Sequence, residues 1–294
     1  MTEPRTLADD LRDVPRDGWG RPMILQPGKV FAKDCKAGKK GDPLLVGYTR
    51  VSSLAKVLDD GVGLDKWHDA LTAVGLVVDP ALLDQVAYLV SGSGNPYAEH
   101  SSALIRLAAQ AQEAAGSTVK RDLGSELHDW AHRWDTGKGL AGLPAELKAD
   151  VHGYIWGTSE LTMLDRELFV VVDELQAAGT LDTLAMTPDG RVMVGDQKTG
   201  QRDCDYPMSV ECQVAIYAHG KRYNFQTGER NELHPAIDLT QGLLIHTPSG
   251  TGKCELYPLD LQRGWDNARF AVELKERRKA AGRKLKPITE WGTK

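Results

Sequence analysis

Apolar residues recur at intervals of three and four through the first half of the chain, and in shorter runs through the second half. Four segments from Tyr48 onward show the spacing of amphipathic helices, TRVSSLAKVLDD, LDKWHDALTAVG, PALLDQVAYLV and EHSSALIRLAAQAQEAAG. Residues 48–118 therefore predict a helical extension, and residues 119–134 predict another helix. Residues 1–47 are rich in Gly, Pro and Lys without a sustained period, so they predict a mostly irregular arm.

The hydrophobic pattern changes between residues 167 and 199. Short β-branched runs there predict three strands, ELFVVVDEL, GTLDTLAMT and RVMVGDQKT, and TPDG between the last two predicts a hairpin turn. The pattern then predicts a helix over SVECQVAIYAHGKRY, a strand pair GLLIHT and KCELYPL around PSGTG, and a charged helix from about Leu261 to Gly282. This order predicts an α/β fold, with one core domain and a helical N-terminal extension.

Two of the predicted strands carry carboxylates at matching positions of the hairpin. Asp182 lies in GTLDTLAM and Asp196 ends the next strand, so the hairpin places them side by side. Adjacent carboxylates repel unless a cation lies between them, and their oxygen atoms suit Mg²⁺ or Mn²⁺. Lys198 lies two residues beyond Asp196, on the same side of the strand.

This arrangement predicts a site at which a hard cation polarises a phosphodiester and supplies a hydroxide. The Lys198 ammonium would orient the water or offset charge in the transition state. The alternative is a surface hairpin with an ordinary salt bridge, since a D…DxK pattern alone is common.

Five short motifs follow one another between about residues 119 and 220. They are LGSELHDW with Gly124 and His128, RELFVVV with Glu167, AGTLDTLAM with Asp182, VGDQKTG with Asp196 and Lys198, and ECQVAIYAHG with Gln213 and Tyr217. Together they resemble the PD-(D/E)XK phosphodiesterase superfamily, in particular its RecB-like exonuclease branch, which includes CRISPR-associated RecB-like exonucleases and many phage proteins. The resemblance implies a restriction-endonuclease-like core, a short mixed sheet flanked by helices, which we expect over residues 119–262.

The resemblance also implies roles for individual residues. The metal ligands would be His128, Asp182, Asp196 and the backbone carbonyl of Gln197. Lys198 would be the catalytic lysine, and Glu167 would be a carboxylate beside the metal or at a second metal. Gln213 and Tyr217 would pack over the site and contact the DNA strand.

The charge of the chain is unevenly distributed. The net charge of −5 argues against polyanion binding by the whole surface. Residues 263–294, a predicted basic helix and tail, nevertheless carry ten Lys or Arg against four Asp or Glu, and residues 29–40 carry five Lys against one Asp. Both segments could track a phosphate backbone, with Lys275, Arg277, Arg278 and Lys279 as the candidate contacts. The alternative is a solvated helix face and a flexible loop.

The overall composition is that of a globular protein. Of 294 residues, 41% are hydrophobic and 26% are charged, no apolar run is long enough for a membrane span, and the N-terminus lacks a signal-peptide core. We therefore expect a cytoplasmic protein, in a bacterium or a phage-infected host, with no membrane partner. The four cysteines lie far apart without a close pair, which favours reduced thiols over disulfides, and we expect no iron–sulfur cluster.

Two other motifs imitate known sites. HDWAH at 128–132 resembles the zincin H-E-x-x-H, but an Asp in the Glu position is one methylene short for the general base. PSGTGKC at 248–254 resembles a phosphate-binding loop, but Thr247 replaces its first Gly and Cys254 its Ser or Thr. We therefore expect a hairpin turn and no ATPase activity there.

The leading functional prediction is a metal-dependent DNA exonuclease that acts on single strands or opened ends, in phage or bacterial recombination or DNA processing. Its partners would be DNA and recombination proteins. An endonuclease with the same metal site and a catalytically silent DNA-binding accessory protein are the alternatives. No motif reports on cleavage polarity or oligomeric state.

Overall fold

A computed structural model describes residues 14–29, 44–59 and 61–282 of the chain. Most of the basic segment 29–40, with Cys35, and the tail 283–294 lie outside these residues. The chain divides into two compact units. The first, called the sheet unit, contains Met1–Asp59, Gly153–Pro248 and Lys253–Lys294; the second, called the helical unit, contains Asp60–His152 and Ser249–Gly252. The fold is α/β, with a mixed sheet flanked by helices, as the sequence pattern predicts.

The strands of the described residues form two sheets. Their bounds are β1 Met23–Leu25, β2 Leu45–Gly47, β3 Thr49–Arg50, β4 Thr162–Val172, β5 Ala177–Met186, β6 Val192–Lys198, β7 Lys221–Tyr223, β8 Arg230–Glu232, β9 Gln241–His246 and β10 Glu255–Asp260. β1 and β2 pair by themselves, and the large sheet has the order β10-β9-β6-β5-β4-β7-β8, with β3 beside β5. β6 runs parallel to β9 and antiparallel to β5, which makes the large sheet mixed.

Eight α-helices are present in the described part of the chain. They are α1 Val51–Ala55, α2 Val62–Val78, α3 Pro80–Val90, α4 Pro96–Ala114, α5 Ser117–Asp135, α6 Lys148–Gly157, α7 Pro207–Ala218 and α8 Leu261–Ala280. Asp79 and Asn95 cap the N-termini of α3 and α4 by accepting hydrogen bonds from main-chain N–H groups, and Pro80 and Pro96 occupy the first helical position. These Asp-Pro and Asn-Pro pairs explain why the helices begin where they do.

α7 is the core helix of the sheet unit. Every residue from Val210 to Ala218 except Gln213 is buried, and Ile216 packs in one cluster with Val194 and Leu244. A helix that is apolar on nearly every side requires cover on every side, and each such side chain stabilises the fold by about 1.5–3 kcal/mol. Gly264 of α8 provides part of the cover, because a Cβ there would lie 2.3 Å from the carbonyl oxygen of Glu211.

A polar network fastens the N-terminal segment to the large sheet. Tyr48 donates its hydroxyl hydrogen to Asp173 Oδ1 at 2.7 Å, and Arg230 Nε donates to Asp173 Oδ2 at 2.6 Å. Arg230 Nη2 also donates to the carbonyl oxygen of Leu25 at 2.6 Å. Burial and the neighbouring Asp173 raise the pKa of Tyr48 to about 12, so its hydroxyl remains a donor at neutral pH. Leu25 and Tyr48 belong to a second apolar cluster with Phe169.

The helical unit buries apolar side chains at several places. Leu82, Leu107 and Ala111 form one buried cluster, with partly buried neighbours from α2 and α3, and the other buried apolar residues include Leu127, Ala131, Leu147 and Val151. Within the described ranges, no single helix is long and apolar enough to cross a membrane; α2 and α3 pass that test of length and composition only as a pair, bent by 105°.

Several sequence predictions about individual elements are confirmed. β5 and β6 form the hairpin predicted around TPDG, β9 and β10 form the second hairpin, and α8 covers the predicted charged helix. One prediction is wrong in part: the helix ends at Ala218, and KRY forms β7. A Cβ on Gly220 would lie 2.0 Å from Val170 Cγ1, so this glycine lets the chain turn closely onto β4. The strands β1 and β2 lie in the region predicted to be mostly irregular.

Candidate active site

The site is built on the register of the β5–β6 hairpin. Leu184 pairs with Val194 and Thr183 with Gly195, so the next position along this register sets Asp182 opposite Asp196. Side chains at opposite positions of an antiparallel pair share a face, with Cβ atoms about 4.5–5.5 Å apart. The hairpin thus brings together the two carboxylates as the sequence predicts.

Asp196 is a buried carboxylate with two well-defined neighbours. It is 1% exposed, and its Oδ1 accepts a hydrogen bond from Gln213 Nε2 at 2.6 Å. Its Oδ2 forms an ion pair with Lys198 Nζ, which is partly exposed. Burial lowers the pKa of the Lys198 ammonium, but the carboxylates of Asp196 and Asp182 raise it, and the net direction is upward. Lys198 therefore stays charged at neutral pH.

Asp182 is oriented by the main chain of the neighbouring strand. Its Oδ2 accepts the N–H of Gln197 at 2.9 Å. Because Gln197 stands between Asp196 and Lys198, the segment that carries the buried carboxylate and the ammonium also fixes the second carboxylate. The hydrogen bond from Gln197 to Asp182 and the ion pair of Asp196 with Lys198 therefore link Asp182, Asp196 and Lys198 at the end of the hairpin, and these three residues are called the bonded group.

Thr247 holds the 196–198 segment from the other side, and sequence reasoning assigned it no role in the site. Its Oγ1 accepts a hydrogen bond from Gln197 Nε2 at 3.2 Å, and its N–H donates to the carbonyl oxygen of Lys198 at 2.9 Å. Beside it, His246 Nε2 lies 2.8 Å from the carbonyl oxygen of Gly200. Both residues depend on the parallel pairing of β6 with β9, which no local motif announces.

Tyr217 faces the carboxylates from α7. It is buried, and burial together with the charges of Asp182, Asp196 and Glu167 raises its pKa well above the ordinary value for tyrosine. The hydroxyl is therefore a permanent donor. A Cβ on Gly179 of β5 would lie 2.8 Å from this hydroxyl, so the glycine makes room for it. Gln213 and Tyr217 stand four residues apart on α7; Gln213 hydrogen-bonds Asp196, and the hydroxyl of Tyr217 is close enough to the carboxylates for their charges to act on its pKa.

Glu167 has an unusual backbone conformation. The pairs Arg166 with Thr183 and Leu168 with Leu181 bracket it, so it lies opposite Asp182 on β4. Its φ is 54°, in the left-handed region that side chains other than glycine rarely adopt. Such a conformation costs about 1–3 kcal/mol and persists only where the surroundings impose it, often at functional sites. The sequence predicts Glu167 at the opening of the first strand, whereas β4 begins five residues earlier, at Thr162.

The remaining predicted residues belong to α5 and α8. His128 is on α5 in the helical unit, whereas the carboxylates are in the sheet unit. On α8, Lys275 Nζ donates to Thr49 Oγ1 at 2.8 Å, and its pKa is lowered, mainly by burial. Arg277 pairs with Glu273 at 2.6 Å and Lys279 with Glu276 at 3.5 Å, while Arg278 is exposed. Their role in DNA binding stays a prediction.

The segment PSGTGKC, which resembles a phosphate-binding loop, binds a side chain of the protein itself. The buried carboxylate of Asp150 accepts the N–H of Gly250 at 2.6 Å and the N–H of Gly252 at 2.7 Å. A bound phosphate would need such main-chain donors. Asp150 therefore takes the place that an anion would occupy, in agreement with the prediction of a hairpin turn.

The donor set fits a hard divalent cation. Among the described residues, no three His, Cys, Asp or Glu side chains come together as a metal-binding group. Mg²⁺ does not require one, because it commonly binds one or two carboxylates and keeps waters and substrate phosphates as its other ligands. Asp182 and Asp196 offer such a pair, and a buried carboxylate needs a nearby cation, which Lys198 supplies here. The Mg²⁺ or Mn²⁺ site stays a prediction.

Two of the cysteines in the described residues have a raised pKa. Cys212 is buried in the core of the sheet unit, and burial raises the pKa of its thiol to about 12. Burial raises the pKa of Cys254 to about 12 as well. At neutral pH Cys212 and Cys254 are therefore thiols.

No model of a known protein family matches the chain, and no curated protein sequence matches it. The likeness to PD-(D/E)XK nucleases rests on the five short motifs and stays a prediction. What the protein does must therefore be inferred from its own residues.

Proposed function

We propose that the protein is a metal-dependent deoxyribonuclease of the PD-(D/E)XK type, an exonuclease that acts on single-stranded DNA or opened DNA ends. The observation that supports this most strongly is the bonded group of Asp182, Asp196 and Lys198, with Gln213 on the same carboxylate. A fold gains nothing from burying a carboxylate at a strand end beside a second one, since each costs desolvation energy.

The proposed chemistry assigns a task to each residue. Asp182, Asp196 and the carbonyl of Gln197 would hold Mg²⁺ or Mn²⁺, and the ion would supply Lewis-acid activation of the phosphodiester and of a water. Gln213 fixes Asp196 by donating to Oδ1, which leaves Oδ2 directed toward Lys198. The Lys198 ammonium, partly exposed beside Asp196, would offset the charge that develops on the phosphate in the transition state.

The proposed setting is recombination or DNA processing in a bacterium or a phage-infected cell. The same metal chemistry would serve an endonuclease, because it does not depend on how the strand enters the site. A silent DNA-binding accessory protein would need none of the buried charges around Asp196.

The experiment that tests the proposal is digestion of 5′- and 3′-labelled single-stranded DNA, with closed circular DNA in parallel, in the presence of Mg²⁺, Mn²⁺ or EDTA. We expect stepwise shortening of linear DNA with either metal, no reaction in EDTA, and intact circles. Asp196→Asn should abolish the reaction, whereas Asp266→Asn, at an exposed position of α8, should not. Cleaved circles would indicate the endonuclease. An intact linear substrate under every condition would leave the silent DNA-binding protein.

A further inference from the structure

The side chains of β4 change faces of the large sheet partway along the strand. In a regular strand, successive side chains point to opposite faces, so residues two apart share a face. Leu168 and Val170 pack with Ile216 of α7 in one apolar cluster, called the α7 cluster, on the face called the α7 face. Phe169, which lies between them, packs in the other apolar cluster. β4 is therefore regular from Leu168 onward.

Arg166 departs from this alternation. By the spacing of two it should point to the α7 face, but Arg166 Nη1 donates to Thr183 Oγ1 and, at 3.1 Å, to the hydroxyl of Tyr154. Thr183 lies on the opposite face of the sheet, because its neighbour Leu184 belongs to the α7 cluster. The change of face thus falls at the residue after Arg166, which is Glu167, where φ is 54°.

β5 changes faces at the matching position. Leu181 and Leu184 both belong to the α7 cluster although they are three residues apart, so the alternation breaks once between them. The pairing of β4 with β5 stays in register through this stretch and sets Glu167 opposite Asp182. The two strands therefore change faces together, at the two carboxylates.

The change of face brings the Glu167 carboxylate toward the candidate site. Burial raises the pKa of Tyr217 of α7, and the charges of the two site aspartates and of Glu167 raise it further. The Glu167 carboxylate is thus close enough to the Tyr217 hydroxyl to act on it. If β4 kept its alternation, Arg166 would point to the α7 face and Glu167 would point away from it. The left-handed residue therefore presents a carboxylate where a guanidinium would otherwise lie.

Arg166 is anchored firmly enough to hold this conformation. Its side chain is 3% exposed, and Tyr154 and Thr183, which accept its hydrogen bonds, are fully buried. A buried polar group that loses its hydrogen bonds costs free energy, so the guanidinium cannot turn to the other face cheaply. Because Arg166 is fixed on one face and Leu168 on the other, the single residue between them must take up the change. A left-handed backbone persists only where its surroundings impose it.

We infer that Arg166 is a positioning residue of the candidate site, whose anchored side chain imposes the left-handed backbone of Glu167 and turns the Glu167 carboxylate toward Asp182. The affinity of an oxygen site for a divalent cation depends on the charge of its ligands, so this carboxylate should strengthen Mn²⁺ binding. The effect on metal rests on the proposed function, whereas the link between Arg166 and Glu167 does not.

The first test needs neither metal nor DNA and compares glycine with alanine at position 167 by urea unfolding. Both substitutions remove the carboxylate, but only glycine adopts a positive φ without strain. Glu167→Gly should therefore unfold at a urea concentration roughly 0.5 M higher than Glu167→Ala. In the Arg166→Met background the order should reverse, because glycine weakens a strand once the left-handed backbone is no longer imposed. Thr183→Val removes one acceptor, should shrink the difference, and decides the test if Arg166→Met does not fold.

The second test is calorimetric titration of Mn²⁺. Thr183→Val should weaken Mn²⁺ binding about tenfold, the loss expected when a supporting hydrogen bond near a metal is removed. Thr183→Ser retains the hydroxyl and should restore the affinity. In the Glu167→Gln background, Thr183→Val should cause no further loss, because Arg166 acts through the Glu167 carboxylate.

Two results would overturn the inference. If glycine kept its full advantage over alanine in the Arg166→Met and Thr183→Val backgrounds, strand pairing alone would impose the backbone of Glu167. If Thr183→Val left the Mn²⁺ affinity unchanged, or weakened it equally with and without the Glu167 carboxylate, Arg166 would not act through Glu167. A wild type that binds no Mn²⁺ would instead contradict the proposed function, and the urea comparison would still decide whether Arg166 positions Glu167.

Discussion

The two units of this protein break the rule of apolar inside and polar outside in opposite ways. The sheet unit has an extensive core and yet buries Asp196 and Gln197 at the end of a central hairpin. The helical unit buries side chains such as Leu107 and yet exposes Val74, Val77 and Tyr88. Folding alone favours neither arrangement, because burying charge and exposing apolar surface both cost free energy. Such departures mark the places where a chain serves something other than its own stability.

Another buried charge of the sheet unit, Glu211, shows that a buried carboxylate can also have a purely structural role. Glu211 of α7 is buried as deeply as the site residues, but Arg263 pairs with it, and it also accepts the N–H of Asp260 at the start of α8. This pair joins two helices and has a structural explanation. Asp196 accepts a hydrogen bond from Gln213 of α7, but its ion pair is with a lysine two residues away on its own strand and joins no two elements.

The largest expected effect is at Lys198. Lys198→Ala should lower the cleavage rate by at least about 10³-fold, because only this ammonium serves the reacting phosphate. DNA affinity should stay nearly unchanged, since phosphate attraction is spread over many basic residues. Rates and binding are measured on the same labelled strand, with Lys221→Ala, an exposed strand lysine, as the control. If the Lys198 variant retained cleavage, the ion pair of Lys198 with Asp196 would have no catalytic role. The buried carboxylate would then not be explained by function, and the contrast between the two units would fail.

Two glycines of α2 test how the helical unit packs, because alanine should have opposite effects on stability at the two positions. Gly75→Ala should destabilise by about 1–3 kcal/mol, because its Cβ would collide with Ala111. Gly63→Ala meets nothing within 4 Å and should stabilise by up to about 1 kcal/mol. The measurement is urea unfolding followed by circular dichroism. Equal effects would mean that α2 does not pack closely against Ala111.

A smaller effect is expected at Thr247, which positions the 196–198 segment. Thr247→Val removes the hydroxyl that Gln197 contacts and should lower kcat about tenfold with little change in KM, the size expected when a supporting hydrogen bond is removed. Thr247→Ser retains the hydroxyl and should restore the rate. If both variants had the wild-type rate while the wild type cleaved DNA, Thr247 would be structural only.

The basic face of α8 should give the smallest effect. A variant without the positive charges of Lys275, Arg277, Arg278 and Lys279 should have a flatter plot of log DNA affinity against log salt concentration. Its slope should be smaller in magnitude by roughly 0.7 for each phosphate that is no longer neutralised. Lys275→Ala alone should change the slope little, since Lys275 donates to Thr49, whereas exposed Arg278 should neutralise a full phosphate charge. Salt titrations of DNA binding measure both. An unchanged slope in the quadruple variant would leave α8 as a cap on the core.

Local chemistry made much of this fold predictable. TPDG sets the β5–β6 hairpin, and the hairpin alone places Asp182 opposite Asp196, so the centre of the site follows from a stretch of 17 residues, 182–198. The end of α7 was not predictable, because it depends on Gly220 meeting Val170 of a distant strand. The contribution of Thr247 depends on the parallel pairing of β6 and β9, and parallel neighbours have no turn to announce them.

The left-handed backbone conformation of Glu167 also could not be predicted from the sequence. A glutamate has no intrinsic preference for that region, so only the surrounding strands can impose it. The helix α2, by contrast, was visible as an apolar period in the sequence. What the period did not reveal is which face points inward, since Thr72 and Gly75 form the packed face.

The most direct test of the central claim is calorimetric titration of Mn²⁺ into the protein without DNA. The claim is that Asp182 and Asp196 form one hard-cation site, so the wild type should bind Mn²⁺, with Mg²⁺ and Ca²⁺ competing. Asp182→Asn and Asp196→Asn should each abolish that binding, and Asp266→Asn should preserve it. A wild type that binds no divalent ion, or binding that survives both substitutions, would contradict the claim.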